Sequence, residues 1–440
     1  MYKNEDILKG VELISDFHNN IRPKFTDNNF LQISSEWFPN VVKYNNRGLD
    51  NKVIELILDV LTDLNIVNLR VAKELHETLK EAYKAFQRVL IMKGGGIKGL
   101  SYVGALKELE NHYNFNWYAG TSAGAISATL LAAGFTNQEL SKILKNKDFN
   151  DFKDASFLRK WINLFIKHGF YKAHTFSEWL NDLLNEKFSK QYQIELKDIF
   201  EITGNRITIF ASRRFKSAVI FDSHNNQQNK SATFAARCSM SIPIIFTPEK
   251  DSGFNLYDGG LQNNFPIDKI LENSPYANFI GLYLGSNKFT LPKKQNPIIA
   301  IFKDLVSLSL EKNDYDMLRK HENHIVIIDT EPISVLNFNL SEVEKKFLIE
   351  AGSLGAIKFL DKQGKINLSD YNYNERLNSH EKIRETLKRK SKTSNFFLWT
   401  KVILTITILC VIITILLWSI FILISYILSF ILEVFIQVFF

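Results

Sequence analysis

The residue with the clearest chemical potential is a serine between two glycines. Residues 120–124 read Gly-Thr-Ser-Ala-Gly, which has the form G-x-S-x-G around Ser122, with Gly120 and Gly124 at its ends. An apolar segment precedes it, and the small apolar residues 123–133 that follow predict a helix. A serine on a sharp strand-to-helix turn projects its hydroxyl away from the sheet. The pattern is typical of a nucleophile, although an ordinary tight turn can have the same composition.

A second candidate is a glycine loop. The apolar run 88–92 predicts a buried strand, a loop with Gly94, Gly95, Gly96 and Gly99 follows, and a helix is expected from Leu100 to about Asn111. Glycines expose backbone N–H groups, and a helix N-terminus favours negative charge. We expect this loop and the Ser122 turn to end adjacent parallel strands. The loop would then donate N–H groups to an oxyanion that forms beside the serine.

The same glycines match the G-x-G-x-x-G fingerprint of dinucleotide-binding folds. That class requires an acidic residue about 20 positions further on to hold a ribose. Trp117, Tyr118 and Ala119 occupy that place, so the sequence disfavours a nucleotide site. A P-loop is excluded because Leu100, and not a lysine, follows Gly99.

The third candidate is Asp258, which stands where a predicted strand meets the pair Gly259-Gly260. A partly desolvated carboxylate at the mouth of a site can accept a proton. In isolation, an Asp-Gly pair more often makes a structural turn. Its function as a base therefore depends on what lies beside it.

The elements that must position these residues alternate between strand and helix. Strands are predicted at 206–211, 217–222, 277–285 and 324–329, and helices at 297–309 and 341–360, with a helical insertion at 135–200. This alternation predicts an α/β fold with a mostly parallel central sheet flanked by helices. Residues 1–87 are expected to form a helical N-terminal extension. The two cysteines, Cys238 and Cys410, are not expected to form a disulfide.

With the glycine loop, the Ser122 elbow and the Asp258-Gly259-Gly260 turn in this order, residues 88–361 resemble the patatin-like phospholipases. The resemblance implies a serine–aspartate dyad, with Ser122 as nucleophile and Asp258 as proton acceptor. It also implies an oxyanion hole at the loop that contains Gly94, Gly95, Gly96, Lys98 and Gly99. The chain departs from the family at Lys93, where a small or acidic residue is common.

A histidine-dependent triad is the alternative on another hydrolase fold. An α/β-hydrolase needs a histidine after its acid, and His321 or His324 would have to supply it. Neither histidine lies in a motif that demands this role. The glycine loop and the Asp-Gly-Gly turn favour the dyad.

The C-terminal segment predicts a membrane anchor. Residues 402–432 contain no charged residue, glycine or proline, and as a helix they would extend roughly 46 Å, against roughly 30 Å for a bilayer core. We therefore predict a transmembrane anchor at 401–440, with one tilted span or two passes. The linker 362–400 is basic, which indicates attraction to anionic head groups and a catalytic domain on the cytoplasmic side. Much of the net charge of +7 lies there, so nucleic-acid binding is not indicated.

These observations together predict a membrane-anchored lipid acyl hydrolase that cleaves fatty-acyl esters of glycerophospholipids. The same dyad also suits a transacylase or a neutral-lipid lipase, because an acyl-enzyme can be hydrolysed or passed to another alcohol. A catalytically silent membrane scaffold is the alternative outside enzymes, and the intact pair Ser122 and Asp258 argues against it. No cluster of ligands requires a metal, and no cofactor is expected.

Overall fold

The structure is a computed structural model that describes residues 88–274, 277–285, 314, 316–389 and five isolated positions of the tail, 418, 424, 425, 427 and 428. The predicted N-terminal extension, the predicted helix 297–309 and nearly all of the predicted transmembrane segment lie outside these residues. Among the helices of the described part, none is both long enough and apolar enough to cross a bilayer. The chain divides into two units, Met1–His380 and Glu381–Phe440, and all three candidate motifs lie in the first. The predicted domain boundaries at 88, 361 and 400 stay predictions.

The strands of the described part are short, and most of them are apolar. In chain order they are β1 (Arg88–Met92), β2 (Trp117–Thr121), β3 (Gly169–Tyr171), β4 (Arg206–Arg213), β5 (Val219–Asp222), β6 (Ile244–Phe246), β7 (Glu249–Asp251), β8 (Phe254–Asp258), β9 (Asn278–Leu284) and β10 (Ile325–Ile328).

The helices connect these strands and cover the sheet. In chain order they are α1 (Ser101–Leu109), α2 (Ala123–Ala132), α3 (Asn137–Asn146), α4 (Phe157–Lys167), α5 (His174–Phe188), α6 (Leu196–Thr203), α7 (Ala232–Ser239), α8 (Ile267–Asn273), α9 (Glu342–Lys362) and α10 (373–389). Short 3₁₀ turns at Gly96–Leu100 and Gly259–Leu261 stand beside the site, and residues 316–320 are also helical.

Five strands form a parallel core in the order β10-β9-β1-β2-β4. Val89 to Met92 of β1 are fully buried and apolar, as expected for a strand that is covered on both faces. Because the strands are parallel, their carboxyl ends meet at one edge of the sheet. The loops after β1 and β2, which carry the glycine loop and Ser122, therefore lie side by side, as predicted.

The sheet is mixed rather than mostly parallel, which corrects the prediction at one edge. Strands β5 and β8 each pair with β4 in antiparallel fashion, and β7 pairs with β8 in the same way. The β7–β8 connection has only two residues, Ser252 and Gly253, both with positive φ. So short a connection allows only a hairpin, because a parallel crossover needs a dozen or more residues. As a consequence, β8 pairs with the carboxyl end of β4, and its last residue lies at the edge of the sheet that carries the site.

The predicted helical insertion at 135–200 is confirmed except for one strand. Its helices are α3, α4, α5 and the first part of α6, and β3 interrupts them. Strand β3 pairs in parallel with β6 as a separate two-stranded sheet, in which Gly169 faces Ile244 and Tyr171 faces Phe246. Strands of three residues are too short to show an alternating pattern, so this sheet could not be predicted from local sequence.

Candidate active site

Ser122 occupies a strained turn between β2 and α2. Its backbone has φ 54° and ψ −120°, a region that residues with a side chain rarely adopt and that costs about 1–3 kcal/mol. Its amide donates to the hydroxyl of Ser239 over 2.9 Å, and that hydroxyl donates to the carbonyl of Phe210 over 2.6 Å. Ser239, at the end of α7, therefore ties the turn to β4. This arrangement is typical of a nucleophile elbow.

The two glycines of the motif are required by close backbone packing. A Cβ on Gly120 would lie 2.3 Å from the carbonyl carbon of Gly124, and a Cβ on Gly124 would lie 2.1 Å from the carbonyl oxygen of Met92. Both distances are far below van der Waals contact. The start of α2 can therefore press against β1 and β2 only because these positions have no side chain.

Asp258 lies beside Ser122 because β8 ends at that level of the sheet. Asp258 faces Ala211 of β4, one residue beyond Phe210, which faces Thr121 of β2. The carboxyl group is buried, and its Oδ1 accepts a hydrogen bond from the amide of Gly260 over 2.8 Å. Burial raises the pKa of Asp258 to about 6, against the opposing effect of the Ser122 hydroxyl and the Gly260 amide.

The second carboxylate oxygen, Oδ2, is the one available to Ser122. It is buried and makes no hydrogen bond of ordinary geometry with any described residue. The Ser122 hydroxyl is nevertheless close enough to lower the pKa of the carboxyl group. The two groups are therefore adjacent without a formed hydrogen bond. Catalytic hydrogen bonds are often long before substrate binds.

The glycine loop presents two amides that are not engaged elsewhere. The amide of Gly94 already donates to the carbonyl of Asn264 over 3.0 Å, so it is not available to an oxyanion as the sequence suggested. The amides of Gly95 and Gly96 make no hydrogen bond with a described residue. A Cβ on Gly94 would lie 3.3 Å from the Cβ of Ser122, so the loop passes directly over the serine.

The other predicted loop residues, Lys98 and Gly99, have different surroundings. Gly99 lines the groove described below, and a Cβ there would lie 2.9 Å from the Cβ of Ala123. Gly99 therefore allows the 3₁₀ turn to pack on the start of α2. Lys98 lies in the same turn but is not among the residues that line this groove, so its predicted electrostatic role stays a prediction.

Lys93, where the chain departs from the resemblance, is a buried and paired cation. Its Nζ lies 2.7 Å from Oδ2 of Asp314 and 4.0 Å from the centre of the Tyr283 ring. Burial acts to lower the pKa of Lys93, but Asp314 and Tyr283 raise it, and the pKa lies above its ordinary value. The charge is thus neutralised locally rather than directed at Ser122.

An apolar groove of about 590 Å³, part of which opens to solvent, runs from Ser122. Its wall is made mostly of aliphatic and aromatic side chains from the 3₁₀ turn, α2, α3 and the segments around β6 and 338. These are Ile97, Leu100, Ile126, Leu144, Phe149, Phe152, Met240, Ile242, Phe246 and Phe338. Such a lining favours a hydrocarbon chain and offers few partners to a polar ligand.

The histidines proposed for a triad lie at the opposite edge of the sheet. His321 and His324 stand just before β10, and both rings contact Phe279 at the start of β9. The amino ends of these strands point away from the edge that carries Ser122. Among the described residues no histidine lines the groove. The histidine alternative is therefore not supported by the geometry.

Several residues of the site had no role in the sequence analysis. Ser239 fixes the Ser122 amide, and Asn264 places its side-chain oxygen beside Gly94 and Gly260. Both lie in segments, the end of α7 and the stretch after the Asp258 turn, whose sequence has no local pattern that predicts a role. No sequence pattern predicts that Phe338 lines the groove, because an irregular segment far along the chain brings it there.

Comparison with known proteins identifies the family to which this site belongs. The family model described as patatin-like phospholipase matches residues 90–271, which contain the glycine loop, Ser122 and Asp258. Residues 90–271 of the chain therefore form a patatin-like phospholipase domain.

Relatives that match about three fifths of the chain occur in bacteria and viruses. YqhO of Bacillus subtilis is 27% identical over 283 residues, which cover 61% of this chain and 97% of that protein. Protein R571 of Acanthamoeba polyphaga mimivirus is 29% identical over 290 residues, with 63% and 95% covered. Protein 463L of Invertebrate iridescent virus 6, named a probable lipid hydrolase, is 26% identical over 274 residues, with 61% and 87% covered.

Solved structures resemble the chain only distantly. VipD from Legionella pneumophila aligns with a TM-score of 0.42 at 15% identity, covering 63% of this chain and 67% of that one. The type III effector ExoU aligns with a TM-score of 0.37 at 14% identity, covering 64% and 53%. Values this low carry no functional argument.

Proposed function

We propose that this protein hydrolyses fatty-acyl esters of lipids, with Ser122 as nucleophile and Asp258 as general base. The observation that carries the proposal is the position of a buried carboxyl group, with a pKa of about 6, next to a serine on a strained turn. A serine hydroxyl is a poor nucleophile without an adjacent base. An ordinary aspartate is too weakly basic, and burial corrects this deficiency.

The proposed reaction proceeds through an acyl-enzyme. The Ser122 Oγ attacks the ester carbonyl carbon while its proton passes to Oδ2 of Asp258. The amides of Gly95 and Gly96 donate to the oxyanion of the tetrahedral intermediate. The intermediate collapses, the C–O bond to the alcohol breaks, and the alcohol leaves with the proton from Asp258. Water then attacks the acyl-enzyme and gives its proton to Asp258. The second tetrahedral intermediate collapses, the bond to Ser122 Oγ breaks, and Asp258 returns the proton to Ser122 as the fatty acid leaves.

The groove supports a lipid as the class of substrate. Its aliphatic and aromatic lining would bury an acyl chain with the ester carbonyl at Ser122. The family description and the name of the viral relative, a probable lipid hydrolase, agree with this class. We propose a glycerophospholipid as substrate; a transacylase or a neutral-lipid lipase would use the same dyad and groove.

We further propose that the protein acts at a membrane, anchored through 401–440, with its catalytic unit on the cytoplasmic side. The support for this proposal is the uncharged stretch 402–432 and the cations that precede it in the sequence.

The test is fatty-acid release from mixed phospholipid vesicles by the wild type, Ser122→Ala and Asp258→Asn. We expect each substitution to lower the rate by at least about a thousand-fold. His321→Gln and His324→Gln are the matched controls, because a triad would need one of them, and both should keep wild-type rates. Undiminished release by Ser122→Ala or Asp258→Asn would refute the dyad, whereas no release by the wild type would leave the scaffold alternative.

A product analysis separates hydrolysis from transfer. The purified protein is incubated with a labelled phospholipid and an excess of a long-chain alcohol or lysophospholipid. A hydrolase yields labelled fatty acid as the main product at every acceptor concentration. If the label moves chiefly to the acceptor, the protein is a transacylase on the same site.

A further inference from the structure

Helix α4 carries an apolar face that the described part of the chain leaves open to solvent. Ile162, Phe165 and Ile166 are 53%, 78% and 70% exposed. Their spacing of three and four residues places them on one side of the helix. Asn163, on another side, is buried and donates from its side-chain nitrogen to the carbonyl of Phe170. Three large apolar side chains of this helix thus point to solvent, whereas the apolar face of a surface helix usually packs on the core.

The charges within α4 itself are all of one sign. Within α4, Arg159, Lys160 and Lys167 are cationic, and the helix contains no acidic residue. None of these three forms an ion pair with a carboxylate in the described part of the chain. The nearest acidic residue in sequence, Asp154, is engaged with the backbone amides of 172–174.

Further lysines extend the cationic patch beyond α4. The pKa of Lys167 is lowered by the neighbouring Lys172. The pKa of Lys153 is lowered by burial and then by Lys160, against the opposing effect of Asp148. Unpaired cations around an apolar face are complementary to an anionic surface with a hydrocarbon interior.

The helix also stands next to the entrance of the groove. It packs on β3, β3 pairs with β6, and Phe246 of β6 lines the groove. Ile244 of the same strand is 41% exposed, with φ 71°, a value rare for a branched side chain. Lys160 lies 5.6 Å from the Tyr171 ring, and Lys153 lies 4.8 Å from the ring of Phe338, which also lines the groove. An object bound to α4 would therefore lie at the groove mouth.

We propose that α4 is an interfacial helix that docks the catalytic unit on an anionic lipid bilayer, with Ile162, Phe165 and Ile166 inserted among the acyl chains and the surrounding lysines on the head groups. The inference rests on the proposed lipid hydrolase function, because the bilayer would also supply the substrate. Helix α4 would then place the groove at the bilayer that contains the substrate, a role that Ser122 and Asp258 do not have.

The decisive experiment measures depth in the bilayer and does not depend on catalysis. The full chain carries Ser122→Ala, Cys410→Ser and Ile166→Cys, and a nitroxide spin label is attached to the new cysteine. Cys238 is kept, since it is buried and burial raises its pKa, which makes it unreactive. The control places the label at Ile202→Cys, which is 48% exposed on α6, the helix that leads into the amino end of β4 at the opposite edge of the sheet.

On vesicles of three parts phosphatidylglycerol to seven parts phosphatidylcholine, we expect the label at 166 to gain collisions with oxygen and lose collisions with a water-soluble nickel chelate. The label at 202 should not change. The effect should be weaker on pure phosphatidylcholine. A label at 166 that stays in water on anionic vesicles overturns the proposal. So does a label that leaves water without vesicles, because another segment or a second copy then covers the face.

A second measurement uses activity. Phe165→Ser/Ile166→Ser should lower hydrolysis of anionic vesicles by at least about ten-fold, whereas Ile202→Ser should not. Lys160→Glu/Lys167→Glu should lose at least about ten-fold on anionic vesicles and little on neutral ones, with the exposed Lys107→Glu on α1 as control. All four variants should keep the wild-type rate on a soluble short-chain ester. Equal loss on both substrates contradicts docking.

The two proposals fail in different ways. If the wild type does not hydrolyse the soluble ester, the proposed function fails, while the depth measurement in the Ser122→Ala chain still decides the docking proposal. If hydrolysis is present and the label at 166 stays in water, the enzyme stands and α4 is not its docking surface.

Discussion

Ser122 and Asp258 lie side by side, and each needs a particular environment to function. The serine needs a neighbour that accepts a proton at neutral pH, and the aspartate becomes such a neighbour only if water is kept away from it. The single amide hydrogen bond from Gly260 keeps the carboxylate oriented without stabilising its charge as fully as solvent would. The pKa of about 6 is the result of that balance.

The first prediction concerns the pH dependence of catalysis. Because Asp258 must be ionised to accept the Ser122 proton, kcat/KM on a soluble uncharged ester should rise with pH about ten-fold per pH unit below about 6 and level off above it. A pH-stat assay of acid release measures this limb. A limb centred near the ordinary aspartate value of 3.8 would show that Asp258 is solvated in the free enzyme.

The second prediction concerns stability. The pKa of Asp258 is higher in the folded chain than in the unfolded chain, so between about pH 4 and 6 only the folded chain holds the proton, and stability falls as the pH rises. Above about pH 6, Asp258→Asn should therefore be more stable than the wild type, by at most about 3 kcal/mol, and about equal to it below pH 4. Urea unfolding followed across this range measures the difference. A destabilised Asp258→Asn at alkaline pH would contradict the buried-charge account.

The third prediction concerns Ser239, a positioning residue. Ser239→Ala removes the acceptor of the Ser122 amide and leaves that buried N–H unpaired, which costs about 1–3 kcal/mol at the turn. We expect kcat to fall about ten-fold with little change in KM, because the groove is intact. Ser353→Ala is the matched control, since Ser353 is also buried and bonded to a main-chain carbonyl, but on α9. Equal losses in both variants would indicate a general stability effect.

At the scale of elements, the groove is assembled from parts that are far apart in sequence. Helix α2 supplies Ile126 one turn after Ser122, β6 supplies Phe246, and the segment after β10 supplies Phe338, whose ring meets that of Phe246 at 6.2 Å. The wall nearest the nucleophile is therefore helical and rigid. The opposite wall depends on the aromatic contact between β6 and the irregular segment that follows β10.

The fourth prediction tests whether the groove holds the acyl chain. Ile126→Trp adds volume next to Ser122, so it should lower kcat/KM for a hexadecanoyl ester at least about ten-fold relative to a butanoyl ester. The measurement is a series of esters of one alcohol with increasing chain length. If the variant reacts equally less with every chain length, the acyl chain lies elsewhere.

The sequence allowed prediction of the elements that have a strong local signal. The parallel strands β1, β2, β4, β9 and β10 were predicted within a few residues, because apolar runs of this kind are typical of buried strands. The order of pairing at the edge could not be predicted, since β7 and β8 are short and half-exposed. Ser122 and Asp258 were identified from their glycine neighbours. Ser239 and Asn264 were not, because a buried serine or asparagine has no local pattern that reveals its partner.

The predicted oxyanion hole also shows, at Gly94, that local sequence does not reveal tertiary hydrogen-bond partners. All three consecutive glycines were predicted to serve it, but the carbonyl of Asn264 takes the amide of Gly94. That contact joins positions 170 residues apart. Local sequence indicates which amides are free of side chains, and only the tertiary structure decides which amides are free of partners.

At the scale of the whole molecule, the proposed anchor and the proposed docking helix both direct the enzyme to lipid, but they differ in strength. The uncharged stretch 402–432 would hold the chain in the bilayer permanently, whereas an interfacial helix binds reversibly and depends on lipid charge. A permanent anchor leaves the second contact free to control access to substrate rather than residence at the membrane.

The fifth prediction tests the anchor. The full chain expressed in cells should remain in the membrane pellet after alkaline carbonate extraction, which removes peripheral proteins. A chain that ends at 389 should be released, because it lacks the apolar stretch. The two chains should have equal rates on a soluble ester. Release of the full chain by carbonate would refute the anchor and leave the α4 proposal unaffected.

The hairpin of β7 and β8 has a consequence for how the site is lost. The nucleophile belongs to the parallel core, whereas the base is delivered by the outer hairpin, in which β8 is held to β4 by three residue pairs and β7 forms the edge. Edge hairpins fray before central strands do. A brief opening of this hairpin would move the Asp258 carboxyl group away from the Ser122 hydroxyl and let water reach it. The pKa of Asp258 would then fall, and Ser122 would lose the base that activates it. Activity would therefore be lost whenever the β7–β8 hairpin opens, well before the parallel core unfolds.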